Sequence, residues 1–290
     1  MFMPLVIPVR PGQSASGERS QAIPDGASQD AAPAPSRPLP AAQVATIAQL
    51  RARIARIERS HDAAAPARSL PLGIPAIDQA LPGGGIALGA LHEAASAGAD
   101  TEHAAAATLF VAGLLARLDG PVLWVLRQAD LFAPGLAGAG LQPNRVIFVE
   151  AGKAVLAVME EGLRHAALAA VVGEPAGRIS LVASRRLHLA AERTGVLAIL
   201  IRRSASFDDP ALATPSAAVT RWRIAVLPSP PALPEAPETP GLGRARWRLD
   251  LTRCRGGEPG SWIAEACDAA GRLGLVPDIA DRPHPSRLSA

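Results

Sequence analysis

Between residues 121 and 201 the chain returns four times to a short, nearly unbroken apolar run: PVLWVL at 121–126, RVIFV at 145–149, LAAVV at 168–172 and GVLAILI at 195–201. Runs of this length without polar alternation read as strands buried on both faces, which requires a parallel sheet covered by helices on either side. A strand at 89–94 precedes them. Helix-length segments separate them, at about 100–118, 153–165 and 179–193, and Asp100 is placed to cap the first. From Leu70 onward strand and helix therefore alternate. Beyond residue 201 the pattern changes: 220–227, 245–253 and 261–266 read as short strands joined by Pro- and Gly-rich turns. The expected fold is α/β, a mostly parallel sheet flanked by helices, with a C-terminal antiparallel extension.

The 290 residues leave room for tails around one such domain. Residues 1–40 are rich in Pro, Ala, Ser and Gly without periodicity, and read as a disordered leader. In 41–60, Val44, Ile47, Leu50, Ile54 and Ile57 recur at steps of three and four, so they form the apolar stripe of a separate N-terminal helix with Arg53, Arg56 and Arg59 opposite. That stripe packs either on its own core or on another protein chain. A linker at 61–69, the core at 70–276 and a frayed tail at 277–290 complete the expected organisation. The opening MFMPLVIPVR lacks a basic segment and is broken by Pro4 and Pro8, so it does not read as a secretory signal, and no apolar stretch is long enough for a transmembrane helix. Cys254 and Cys267 fit neither a redox pair nor a zinc spacing, and no metal or cofactor is expected.

The first strand, the loop after it and the following helix have the order of a phosphate site, in which a helix N-terminus points at the anion. Nucleotide hydrolases place a lysine and a Ser/Thr at the end of that loop. Here the loop carries Ser96, Gly98, Asp100, Thr101, Glu102 and His103. It has no lysine; the only one in the chain is Lys153, behind a different strand and not followed by Ser or Thr. Asp100 and Glu102 instead bring negative charge to where a triphosphate would lie. Like charges about 4 Å apart repel by roughly 4 kcal/mol at an effective dielectric near 20. The loop has the architecture of a phosphate site without its chemistry, and ATP hydrolysis is not expected.

The order of these features resembles the RecA-like core and, more closely, the ImuA family of damage-inducible mutagenesis proteins. The resemblance rests on LGIPAIDQALPGGGI at 72–86, the Gly89, Leu91 and Glu93 positions, LQPNR at 141–145, SRRLHLAAE at 184–192 and TRWRI at 220–224, and it extends over about 41–276. It implies a non-catalytic adaptor in SOS-induced DNA damage tolerance, cytoplasmic and nucleoid-associated after damage. It would be part of an error-prone translesion synthesis complex contacting ImuB (a Y-family polymerase-like protein), RecA and a DnaE-type polymerase. The stripe Val44–Ile57 is then the partner-docking surface. The alternatives are a divergent ATP-dependent, DNA-binding recombinase and an SOS cell-division inhibitor.

Carried over by position, the phosphate lysine falls near Glu102 and its hydroxyl partner near His103. The water-orienting carboxylate finds only Asp130, and the magnesium-associated aspartate finds Gly173, with Glu174 next to it. Phosphoryl transfer depends on positioned cations and metal, so little of that machinery remains. The loops that would meet single-stranded DNA are 174–180 and 202–219. The second brings Arg202, Arg203 and Phe207 as candidate contacts, through phosphate pairing and base stacking. Strand alternation places Trp222 and Trp247 in the core and their neighbours Arg221, Arg223, Arg246 and Arg248 in a basic stripe on the opposite face.

Overall fold

The computed structural model describes residues 68–204, 209–233 and 235–276. The leader, the N-terminal helix with its docking stripe, Phe207 and the tail lie outside the described residues. Two short strands, β1 (Ser69–Leu70) and β2 (Ile86–Ala87), pair antiparallel and bracket helix α1 (Pro75–Ala80). Ser69 thus belongs to a strand and not to the linker. The Asp78 carboxylate accepts from the amides of Leu72 and Gly73, at 2.6 and 2.9 Å, which folds the LGIPAID stretch back on itself. Gly85 is required there by contact: a Cβ at this position would run into the Leu70 backbone.

The remaining strands are β3 (Leu91–Ser96), β4 (Val122–Leu126), β5 (Val146–Glu150), β6 (Ala170–Gly173), β7 (Leu197–Arg202), β8 (Thr220–Leu227), β9 (Arg246–Cys254), β10 (Gly260–Glu265) and β11 (Gly274–Leu275). Among the described residues they form one sheet in the order β11-β10-β9-β8-β3-β7-β6-β4-β5. The six strands from β8 to β5 pair in parallel, and β8 through β11 pair antiparallel. The expected mostly parallel sheet with its antiparallel extension is present.

Helix α2 (Asp100–Ala116) covers one face, over a core built on Phe110, Trp124, Val172, Ile199, Trp222 and Leu249. It is apolar on nearly all sides, which suits a helix covered from outside as well as from the sheet. The outer cover is the turn around Cys267 and Gly271: a Cβ on Gly113 would collide with the Cys267 sulfur. Helix α3 (Ala133–Ala137) adds Leu136 to the same core. At the far end of α2, the Arg145 guanidinium donates to the carbonyls of Ala116 and Gly120, closing the helix C-terminus.

The other face carries α4 (Val155–Gly162) and α5 (Leu181–Thr194) over Val125, Val171, Ala198 and Leu200. Both ends of α5 are capped locally. The Ser180 hydroxyl accepts from the Ala183 amide, and Gly195 ends the helix at φ +76°. A last short helix, α6 (Pro210–Ala213), is capped by Asp209. Both cysteines are free, and among the described residues no helix is long and apolar enough to cross a membrane.

One expectation fails at the edge. The RVIFV run is a strand, but among the described residues β5 has a neighbouring strand on one side only, and Ile147 is 51% exposed. A continuous apolar run marks a strand without saying whether both of its faces are covered.

At the centre, His92 is buried with both ring nitrogens engaged. Its Nε2 lies 2.8 Å from the Ala87 carbonyl, which can only accept, so Nε2 carries the proton. Nδ1 then accepts from the Thr220 hydroxyl at 2.7 Å, and Thr220 Oγ1 accepts from the Trp222 indole at 3.0 Å. This chain suits a neutral imidazole. Burial pushes the His92 pKa down to about 4, with nearby His188 adding to the effect and the Ala87 carbonyl opposing it. The unfolded chain binds this proton below its ordinary 6.5 and the folded chain does not, so the linked stability is intact above that pH. It is lost as pH falls from 6.5 towards 4, by up to about 3 kcal/mol. Urea titrations at pH 7 and pH 5 should therefore show a lower midpoint at pH 5. His92→Asn, less stable from the start, should lose less between the two.

Candidate functional site

The loop from β3 to α2 closes on its own side chains. Asp100 does not cap α2. Ala99 holds the cap position, and Asp100 is the first helical residue. Its carboxylate accepts from the Ser96 hydroxyl at 2.6 Å and from the Ser204 amide at 3.0 Å, while its own amide donates to the Ser204 carbonyl at 3.0 Å. The loop after β7 is thereby tied to the loop after β3. The Ala97 amide donates to the Ile224 carbonyl, and the Glu102 and His103 amides to that of Ala99. The space above Gly98 is filled by the His103 ring: a Cβ on that glycine would lie 2.7 Å from the imidazole. His103 Nδ1 accepts from the Val226 amide at 3.2 Å, and its Nε2 lies 3.6 Å from the exposed Glu102 carboxylate. Thr101 is exposed. Acidic side chains in a first helical turn are favourable, by about 0.3–1 kcal/mol each. The positive end of α2 is thus matched by the chain's own carboxylates.

Asp130 is exposed, whereas Glu174 makes structural contacts. Glu174 is buried. One of its oxygens accepts from the Trp124 indole at 2.8 Å, and the other pairs with Arg203, whose Nε lies 2.8 Å away. Burial would lower the Arg203 pKa, but Glu174, with Asp130 and Asp100 farther off, holds it up. Arg203, expected as a nucleic-acid contact, is a counter-ion at the ends of the strands. Among the described residues no group of three or more His, Cys, Asp or Glu side chains is arranged to hold a metal ion.

Arg202 is also corrected. It is 3% exposed and donates to the carbonyls of Gly177 and Ala211, at 3.0 and 3.1 Å. With Arg221 it flanks the buried Glu93 of β3, at 3.7 and 3.1 Å. Burial lowers the Arg202 pKa, Glu93 opposes the shift, and Arg221 adds to it. Arg202 has no surface to offer a polyanion. Arg221 is mostly buried as well and donates to the Thr214 carbonyl at 2.5 Å.

The R-W-R reading holds for the faces. Trp222 and Trp247 are buried in the α2-side core. The register opposes Arg221 to Arg253, Arg223 to Asp250, Ala225 to Arg248 and Leu227 to Arg246, which sets the arginines on the other face. They are unequal there. Arg248 pairs with Asp250 at 3.0 Å, and Arg246 is half-buried. Arg223 makes no hydrogen bond or ion pair among the described residues. His188, in the SRRLHLAAE stretch, is buried and faces the Leu91 amide.

Sequence reasoning missed the pairing of Glu93 with two arginines and the part played by Ser204. The first left a local signal: a carboxylate in the middle of an apolar central strand must find a partner.

Taken together, these features define an α/β domain, a mostly parallel sheet flanked by helices, in which the loop between β3 and α2 is closed by its own acidic and imidazole side chains. No family model matches the chain. It is 42% identical over 233 residues to Protein ImuA of Caulobacter vibrioides, strain NA1000 / CB15N, an alignment covering 77% of this chain and 89% of that protein. The ImuA protein of the strain ATCC 19089 / CIP 103742 / CB 15 matches equally. The chain belongs to the ImuA family. A crystal structure of the RadB recombinase superposes with a TM-score of 0.49 at 18% identity, over 71% of this chain and 99% of that one.

Proposed function

We propose that this chain acts in damage-inducible mutagenesis as a non-catalytic RecA-like adaptor within an error-prone translesion synthesis complex, in the cytoplasm and at the nucleoid after damage. Its partners are ImuB, RecA and a DnaE-type polymerase. Family membership supports the setting. The observation that carries the non-catalytic reading is the Asp100 carboxylate, held between Ser96 and Ser204 where a triphosphate would need a cation. Such a loop repels a polyphosphate instead of cradling it, which leaves contacts with other macromolecules as the means of action. The stripe Val44, Ile47, Leu50, Ile54 and Ile57 is the docking element in this reading.

Two measurements on the full chain test it. Calorimetry with ATP and Mg²⁺ should give no binding heat; turnover that disappears on changing Asp130 or Glu174 would overturn the adaptor reading in favour of a recombinase. In a pull-down, Ile54→Asp with Ile57→Asp should abolish capture of ImuB or RecA with the melting temperature unchanged. Capture that survives the double change removes the docking stripe from the proposal.

A further inference from the structure

On the arginine-bearing face of β8 and β9, next to α6, lies a cavity of about 550 Å³. Arg221, Arg223 and Arg253 line the strand side, and Leu212 and Ala213 the helix side. That volume falls in the range of small-molecule sites, about 300–1,000 Å³.

Five observations make the cavity electropositive beyond its own internal pairing. Behind it, Glu93 is shared between Arg202 and Arg221, so one buried carboxylate faces two guanidinium groups. A register shift at Arg221/Trp222 makes Arg253 the cross-strand neighbour of Arg221. Like charges directly opposite destabilise a sheet unless something shares them. Arg223 has no partner among the described residues, because the Asp250 across from it is engaged by Arg248 at 3.0 Å and Ser261 at 2.6 Å. Arg253 uses one nitrogen on the Ser216 carbonyl at 2.9 Å and keeps other donors free. The one acid in the wall, Asp209, already accepts from the Ala211 amide at 2.8 Å as the cap of α6.

We infer that this cavity is a binding site for a phosphate group, with Arg223 and Arg253 as the forked donors. The planar guanidinium matches phosphate oxygens two at a time, and the bonds are charge-assisted. Leu212 and Ala213 offer an apolar wall to the carbon skeleton that carries the phosphate. A free phosphorylated small molecule and the phosphodiester backbone of a single strand share this chemistry. The site is independent of the proposed partners, since an adaptor could bridge them with the cavity empty.

The test titrates the full chain at low salt with two probes, inorganic pyrophosphate and a fluorescein-labelled oligothymidylate. Arg223→Gln should weaken binding about tenfold or more, the loss of one charge-assisted pair. Because Arg223 holds no contact, the variant should melt with the parent. Arg253→Gln should act in the same direction, and Arg193→Gln, which removes an equal charge from exposed α5, should change affinity less than about twofold. Binding of pyrophosphate with displacement of the oligonucleotide assigns a free phosphate; binding of the oligonucleotide alone assigns a backbone. The site is disproved if the parent binds neither probe, if Arg223→Gln binds as the parent does, or if Arg193→Gln loses as much.

Discussion

Replacing Glu93 by Gln should lower the unfolding free energy by about 3–5 kcal/mol, the range for removing one partner of a buried ion pair. The carboxylate is the only negative charge within 4 Å of the Arg202 and Arg221 guanidinium groups among the described residues. Once it is neutral, both cations remain away from water with carbonyl acceptors but no counter-charge. The pairing is imperfect even in the native chain: Glu93 Oε1 and Arg221 Nε, although buried, are not aligned for hydrogen bonds. That imperfection sets up a second outcome. Changing Glu93, Arg202 and Arg221 together to Leu should cost less than Glu93→Gln alone, because the triple variant leaves no charge behind. Urea midpoints of the two variants check this. A single variant within about 1 kcal/mol of the parent would mean that water reaches the arginines.

Trp124→Ala should be comparably severe, about 3–5 kcal/mol. Trp124 is fully buried in β4, under the α2-side core, and its indole nitrogen donates to Glu174 at 2.8 Å. Two effects add: the cavity left by a large ring, and a buried carboxylate oxygen without its donor. Trp124→Phe separates them. It keeps most of the volume and should cost about 1–3 kcal/mol for the unmade hydrogen bond. Glu174 keeps its Arg203 pair in both variants. Chemical denaturation of the two gives the comparison: equal losses would show that the cavity contributes little, and a Trp124→Phe variant as stable as the parent would show that the hydrogen bond does.

Much of the frame could be read locally. The stretch 220–227 was expected as a strand and is β8 residue for residue. The two tryptophans of the late strands point inward as alternation requires. That Lys153 is the only lysine of the chain needed no structure at all. The strand features depend on residues one to four positions apart, where backbone periodicity acts.

What the chain alone could not specify depends on groups that folding brings together. Arg202 and Arg203 are neighbours in sequence at the end of the same strand. One is enclosed with Glu93, 109 positions away, and the other reaches Glu174. The run at 145–149 looks like its inner counterparts, yet among the described residues its strand is the last in the sheet order. Asp100, one residue inside the helix it seemed to cap, is drawn instead to the Ser204 backbone. Composition and periodicity therefore determined the kinds of elements and their order. The burial of each charge was decided by the tertiary structure alone, because the cost of a charge depends on which distant groups replace its water.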